Sequence, residues 1–272
     1  MIAKGLITQR ANEEQLPAHT IERDYVLTHV CADIGAINDT RLVSKGGTLL
    51  RMCYFDDYRY SADLDFSSVA GLTAAEAVAI VGDAVDSCRR RTEMPTLEVA
   101  HADAGTALIA YVGPLGSRPR KIKLDISDTE LIETQHRCAI QQRWPDLPVD
   151  AAIESYTLDE VGAEKLRCIA ETVKCRDLYY LHELLDGQHI DVMEAWHLYL
   201  RKAANNVTRG RERTPPREWA SAFGRRLISY RSLWDRELGD YLSEIPNFGD
   251  VERRSRRHLS PVVAAAQALT EP

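Results

Sequence analysis

Apolar residues recur at helical spacing from residue 21 to about 37, where Val26, Val30, Ile34 and Ile37 form a stripe that Leu27 and Cys31 widen, and this predicts an amphipathic helix. A short apolar step, Leu42-Val43, runs into Gly46-Gly47, and Thr48, Leu49, Leu50, Met52 and Cys53 follow as the first turns of another helix. At Asp63-Leu64-Asp65-Phe66 the period changes to two, which puts both carboxylates on one face of a strand and Leu64 and Phe66 on the other. Thr73 with Glu76 makes a capping box ahead of an Ala/Val-rich helix that runs to about residue 91. Residues 96–101 and 106–112 read as two strands joined by a hairpin turn at Asp103-Ala104-Gly105. In 121–126 Ile122, Leu124 and Ile126 face a core, while Lys121, Lys123 and Asp125 share the opposite face.

Trp144-Pro145-Asp146-Leu147-Pro148 punctuates the chain and is the candidate domain boundary. Beyond it helical patterns dominate, over roughly 158–174, 176–187, 190–204, 216–239 and a final run after 250, with breaks at Pro215-Pro216 and Pro246. No internal repeat and no low-complexity segment interrupts them. The expected organisation is an α/β (α+β) domain over 1–150 followed by a mainly α-helical domain over 151–272.

Composition narrows this little. The 272 residues are 44% hydrophobic, enough for a core without metal or disulfide staples, and this excludes disorder along the whole chain. No apolar run approaches the ~20 residues needed to span a bilayer, and MIAKGLITQR lacks the apolar centre of a secretory signal. No membrane partner and a cytoplasmic location are therefore expected. The six cysteines, Cys31, Cys53, Cys88, Cys138, Cys168 and Cys175, contain no C-x-x-C pair and no Cys/His spacing suited to zinc. Reduced, mostly buried thiols are expected rather than three bridges.

Charge does change the picture. The net charge of −7 argues against a nucleic-acid partner only if it is evenly spread, and it is not. Residues 201–258 hold 14 Lys and Arg against 8 Asp and Glu, leaving −13 for the rest of the chain. Arg209, Arg211, Arg213, Arg225 and Arg226, then Arg253, Arg254, Arg256 and Arg257, are interleaved with Trp219, Tyr230, Trp234 and Tyr241. Arginine with aromatics makes an RNA-binding surface; the competing reading is a solvated helical face whose aromatics are core.

Three features in order suggest chemistry. Gly46 and Gly47 let backbone N–H groups approach a phosphate at the start of a helix, where Thr48 offers a hydroxyl. Asp63 and Asp65 supply hard oxygens for one or two Mg²⁺ ions bridging triphosphate oxygens. Asp125 either completes the metal set or takes a proton from an attacking hydroxyl. Taken singly, a Gly-Gly pair is most often a turn and an Asp-x-Asp a solvated strand face. Glycosidase chemistry is disfavoured because both carboxylates lie on one strand face instead of flanking a cleft.

Together the Gly-Gly turn and Asp-x-Asp resemble the signature of the polymerase beta nucleotidyltransferase superfamily, with fifteen residues between Gly47 and Asp63, longer than its tightest versions. The segments Ile21-Glu22-Arg23-Asp24-Tyr25-Val26-Leu27, Lys45-Gly46-Gly47-Thr48-Leu49-Leu50-Arg51 and Arg59-Tyr60-Ser61-Ala62-Asp63-Leu64-Asp65-Phe66 narrow the resemblance to the AbiEii/AbiGii nucleotidyltransferase toxins. Glu164-Lys165-Leu166 and Lys174-Cys175-Arg176-Asp177-Leu178-Tyr179 match that family's later elements. The basic C-terminal third carries none of its motifs.

The resemblance implies a mixed-sheet nucleotidyltransferase fold and the toxin half of a two-gene system, neutralised by an antitoxin and related to phage defence. In members similar to the MenT toxins it implies Mg²⁺- or Mn²⁺-dependent transfer of a pyrimidine nucleotide, CTP favoured, to the 3′ end of tRNA, blocking aminoacylation and translation. By motif it assigns Ser61, Asp63, Lys165 and Asp177 to the activity and places Lys45 with Gly46, Gly47 and Thr48 on the nucleotide. Lys165 suits the β- and γ-phosphates as a hydrated point charge; without the motif it would be a lysine paired with Glu164. Lys165 and Asp177, twelve residues apart, are expected on successive helices and to meet by tertiary packing. Asp177 by itself also reads as a helix-start residue, and Arg176 either orients a phosphate or holds Asp177. Tyr180 departs from the family, where many members have Asp. Two rival readings remain: transfer to a protein or small molecule, commonly of AMP, and an inactive NTP-binding module.

Overall fold

A computed structural model describes residues 1–103, 105–116, 118–208 and 214–269, with the backbone alone for 206–208. The chain divides into two compact units, one of Met1–Glu130, Gln135–Tyr156 and Tyr241–Ser243, the other of Leu131–Thr134, Thr157–Asp240 and Glu244–Pro272.

The first unit contains α1 (Lys4–Glu13), α2 (Ala18–Ile37), β1 (Leu42–Lys45), α3 (Gly46–Leu49), β2 (Asp63–Ser68), α4 (Ala74–Thr92), β3 (Thr96–Asp103), β4 (Thr106–Val112), β5 (Arg120–Ser127), β6 (Gln135–Ala139) and β7 (Ala152–Tyr156). The strands form one mixed sheet in the order β3-β4-β5-β2-β1-β7-β6. β2 runs parallel to β5 and β1 to β7, and the other neighbours are antiparallel. Parallel neighbours need crossovers, and the chain between β2 and β5 contains α4, whose N-terminus is closed by the Thr73–Glu76 capping box. The α2 helix is buried along nearly its whole length. It presses so closely on β7 that a Cβ on Gly35 would run into the Ala152 carbonyl, so glycine is required there. Ala104 lies outside the described residues; Asp103 and Thr106 on either side of the turn are paired.

Three elements went unread in the pattern of apolar positions. In α1 only Ile7 and Ala11 are buried. β6 is a polar edge strand, mostly exposed. In β7 every residue from Ile153 to Tyr156 is buried, on both faces, so no alternation marks it. The Trp144–Pro148 stretch joins β6 to β7 within one sheet.

A buried polar network ties α2 to α4 and to the loop before β7. His29, fully buried, lies 3.2 Å from Asp146 Oδ1 through Nε2 and 3.0 Å from Arg91 Nη1 through Nδ1. Arginine can only donate, so Nδ1 is the acceptor and the ring proton sits on Nε2, facing Asp146. Burial, aided by the Arg91 charge and opposed by Asp146, pushes the imidazole down to about 4. The folded state therefore resists a proton that the unfolded chain accepts below its ordinary value of 6.5. Stability is complete above that value and falls as pH drops from there towards 4, by up to about 3 kcal/mol. Urea denaturation at pH 7 and pH 5 measures the loss, and His29→Gln should remove this component of it.

The second unit contains α5 (Leu158–Glu171), α6 (Cys175–Asp186), α7 (Val192–Thr208), a 3-10 turn (Pro216–Glu218), α8 (Trp219–Leu238), α9 (Phe248–His258) and α10 (Ser260–Ala268). The single run expected after 250 is split at Leu259, ahead of Pro261. Its core is aromatic, with Trp196, Trp219, Tyr230 and Trp234 all buried. The indole N–H of Trp219 donates to the Leu166 carbonyl at 2.7 Å and that of Trp234 to the Pro246 carbonyl at 2.8 Å, so neither polar end is left unpaired. Residues 131–134 are clipped to this unit by Glu160, whose Oε1 accepts from the Glu133 and Thr134 N–H groups, and by Lys202, which pairs with Glu160 and donates to the Leu131 carbonyl. Among the described residues no helix is long and apolar enough to cross a membrane.

Candidate active site

The sheet register assembles the carboxylates. Asp65 is paired with Lys45 on β1 and with Asp125 on β5, and Asp63 with Lys123 on β5. Residues opposite one another on neighbouring strands share a face, so Lys45, Asp65 and Asp125 form a row across three strands, with Asp63 and Lys123 alongside. Asp65 next to Asp125 is a like-charge pair, which a sheet disfavours. Lys123 relieves it: its ammonium lies 2.7 Å from Asp125 Oδ2 and is held above its ordinary value by that hydrogen bond and by the charges of Asp125, Asp63 and Asp65. Lys123 is the residue that the sequence reading passed over, although its place on the polar face beside Asp125 was visible there.

The Gly-Gly turn lies directly against this row. Gly46 has φ +77°, and a Cβ on it would stand 2.5 Å from Asp65 Oδ2, so only glycine lets the turn come this close to the carboxylate. Gly47 is buried in the first turn of α3, which passes into a π-helical turn at Leu50–Tyr54. The Thr48 hydroxyl donates to the Asp63 carbonyl at 2.6 Å; its one proton is thereby committed to the backbone, and it ties the turn to β2. Ser61, just ahead of β2, is buried. The π-helical turn is pinned in its own way. Arg51 Nε donates to Asp24 Oδ1 at 2.7 Å, and its guanidinium lies 3.5 Å from the centre of the Tyr60 ring.

Lys45 is held from the other side of β1. Its Nζ lies 2.6 Å from Glu130 Oε2, an oxygen that also accepts from the Tyr156 hydroxyl at 2.9 Å and the Ser67 hydroxyl at 3.1 Å.

Within the second unit, Lys165 and Asp177 lie on successive helices and meet at 2.9 Å, both buried. Burial drives each toward neutrality, but the opposite charge at contact distance outweighs it: Lys165 is held above its ordinary value and Asp177 below. The Thr172 hydroxyl donates to the other Asp177 oxygen at 3.3 Å, and the Arg176 charge helps keep the carboxylate ionised. Tyr180 places its ring 4.5 Å from Lys165 Nζ, a cation–π contact on a further side of the ammonium.

The basic C-terminal segment is different in character. Arg209, Arg211 and Arg213 lie outside the described residues. On α9, Arg253 pairs with Asp250 at 2.7 Å, Arg254 with Asp186 at 2.7 Å and Arg256 with Glu252 at 2.9 Å, while Arg257 is exposed. Trp219, Tyr230 and Trp234 are core residues with no face for a base, so these three interleaved aromatics belong to the packing and not to a stacking surface, while Tyr241 is half-buried.

A divalent ion fits the carboxylate row by its donor chemistry. Mg²⁺ takes one or two carboxylates and completes its shell with water and substrate phosphates instead of an all-protein cage. Asp63 and Asp65 supply the carboxylates on one face, with the Gly46 backbone directly against Asp65. Among the described residues no group of three or more His, Cys, Asp or Glu side chains is gathered closely enough to hold a metal by itself. Asp125 is engaged by Lys123.

Comparison with known proteins places this arrangement. The family model described as "Nucleotidyl transferase AbiEii toxin, Type IV TA system" matches residues 36–260. No curated protein matches the chain. Among solved structures, MenT4, a nucleotidyltransferase toxin from Mycobacterium tuberculosis H37Rv, is similar with a TM-score of 0.74 at 21% identity, over 99% of this chain and 91% of that one. An H. pylori protein described as a nucleotidyltransferase is similar with a TM-score of 0.54 at 14% identity, over 94% of this chain and 100% of that one. At these identities both likenesses concern the fold, and the match of the family model over most of its length shows that this chain belongs to the AbiEii family of nucleotidyltransferase toxins.

Proposed function

We propose that this toxin transfers a nucleotide, CMP in preference, from an NTP to the 3′ end of tRNA, so that the tRNA is no longer aminoacylated, and that its cognate antitoxin prevents this. The observation that carries the reading is the row of Lys45, Asp65 and Asp125 across three adjacent strands, with the positive-φ Gly46 turn against it. An NTP bound there meets backbone N–H groups from Gly46 and Gly47, the Lys45 ammonium, and carboxylates suited to a divalent ion.

The reaction is attack of a hydroxyl oxygen on the α-phosphorus, forming one P–O bond and breaking the bond to pyrophosphate. Asp63 and Asp65 would hold Mg²⁺, and the ion would supply neutralisation of charge on the phosphate. Asp125, which Lys123 holds at 2.7 Å, accepts the hydroxyl proton. Lys45, kept in place by Glu130, faces the phosphates, and Ser61 lines them. In the second unit, the part that the motif assigns to Lys165 needs a charged ammonium; Asp177 keeps it protonated, and Arg176 supports Asp177.

Incubation with total tRNA, Mg²⁺ and each labelled NTP tests the proposal. Label in tRNA, strongest from CTP, is expected; no transfer from any of the four overturns the tRNA reading. Nuclease-resistant label in protein would establish protein modification instead.

We place part of the tRNA contact on Arg253, Arg254, Arg256 and Arg257. Their exposed ion pairs cost only about 0–1 kcal/mol each to open, so phosphates compete with the partners. Replacing all four by Gln should weaken tRNA binding and lower the slope of log K against log salt by about 0.9 for each arginine that meets a phosphate. An unchanged slope in a filter-binding titration returns α9 to an ordinary solvated helix.

A further inference from the structure

Two thiols lie side by side in the first unit, outside the carboxylate row. Cys53 is in the π-helical turn Leu50–Tyr54, and Cys138 is on the edge strand β6. The Cys138 thiol donates to the Cys53 carbonyl oxygen at 3.8 Å, which brings the two cysteines together. Both residues are half-buried, whereas Cys31, Cys88 and Cys175 are buried. His136 shares a face of β6 with Cys138, since the two are two positions apart. The Tyr54 hydroxyl donates to the Tyr156 carbonyl at 2.6 Å and lies 3.3 Å from His136 Nε2. With its own proton spent on the carbonyl, the Tyr54 oxygen is the acceptor in that second contact, which orients the ring.

We propose that Cys53 and Cys138 form an oxidisable dithiol, a modification site for peroxide-class oxidants in which Cys138 is the attacking thiolate and Cys53 the resolving thiol. The surroundings divide the roles. His136, on the same face of β6 as Cys138, is the neighbour that sets it apart: contact with Cys53 and then His136 hold Cys138 below its ordinary value, while contact with Cys138 and burial hold Cys53 above its own. In the first step the Cys138 sulfur attacks one peroxide oxygen, an S–O bond forms, the O–O bond breaks and hydroxide leaves. In the second the Cys53 sulfur attacks the sulfenic sulfur, the S–S bond forms, the S–O bond breaks and the oxygen departs as water with the Cys53 proton. One peroxide is reduced to two waters as two thiols become one disulfide. The bridge ties β6 to the helical turn that follows Gly46-Gly47.

The full-length native protein, treated with stoichiometric hydrogen peroxide, alkylated and digested, tests the site without reference to activity. The expected product is an intramolecular Cys53–Cys138 peptide pair and a mass lower by two hydrogen atoms. Before oxidation, iodoacetamide should label Cys138 at least about tenfold faster than Cys168, whose half-buried thiol is pushed up to about 12 by burial. In Cys53→Ser, whose fold a thermal melt checks, peroxide should leave a sulfenic acid on Cys138 that dimedone traps. Oxidation that leaves all six thiols unlinked, or a bridge using a different pair, overturns the proposal. So does equal labelling of Cys138 and Cys168.

Discussion

Asp65→Asn is expected to lower nucleotide transfer by at least about a thousandfold while leaving the thermal unfolding temperature unchanged or slightly raised. The two effects have separate causes. Asparagine keeps the size of the side chain and one acceptor oxygen but removes the charge that a divalent ion needs, and such electrostatic contributions are worth several kcal/mol in the transition state. Stability moves the other way because Asp65 lies directly opposite Asp125, a like-charge pair in which neutralising one member removes repulsion. A transfer assay and a thermal melt on the same preparation check both halves; Asp65→Asn or Asp63→Ala with full activity would sink the assignment of the row.

Asp177→Ala should destabilise the protein by about 3–5 kcal/mol, because it strands the Lys165 ammonium in a buried place without a carboxylate. The Tyr180 ring would remain, but a cation–π contact is worth only about 1–2 kcal/mol. Replacing both partners by apolar residues of similar volume, as in Lys165→Met with Asp177→Leu, should restore most of the stability, since no charge is left buried, yet leave transfer abolished. Urea denaturation of the two variants and the parent at pH 7 separates the contributions. The pH dependence has a definite sign. Asp177 is held below 3.8, so its share of stability is present above that value and is lost as pH falls through the depressed one. Lys165 is held above 10.5, so its share is present below that value and is lost only as pH rises through the elevated one. Between those limits the pair is fully charged.

Much of the site was legible because it depends on local rules. A period of two places Asp63 and Asp65 on one face whatever the fold, and Gly46 announces a close approach that a side chain would block. The Thr73–Glu76 cap follows from two residues three apart. The interleaved aromatics of the basic segment were ambiguous, since Trp219, Tyr230 and Trp234 look alike in sequence whether they stack on bases or on one another. Burial resolved them into core. Thr48 offered a hydroxyl to a ligand, but the same hydroxyl also reaches the Asp63 carbonyl, a contact between residues fifteen apart that only the fold brings together.

By itself, then, the sequence determined the amphipathic helices, the alternating strands β2 and β5, the glycine turn and the shared face of Asp63 and Asp65, because each follows from spacing within a few residues. Tertiary structure decided what depends on partners far along the chain. It set the register that puts Asp65 between Lys45 and Asp125, and the engagement of Asp125 by Lys123 and of Lys45 by Glu130. It also decided that β6 and β7 exist at all. β6 is a polar edge with no apolar stripe and β7 is buried on both faces, so neither carries a period, and hydrogen bonding to a neighbouring strand is what makes each one a strand.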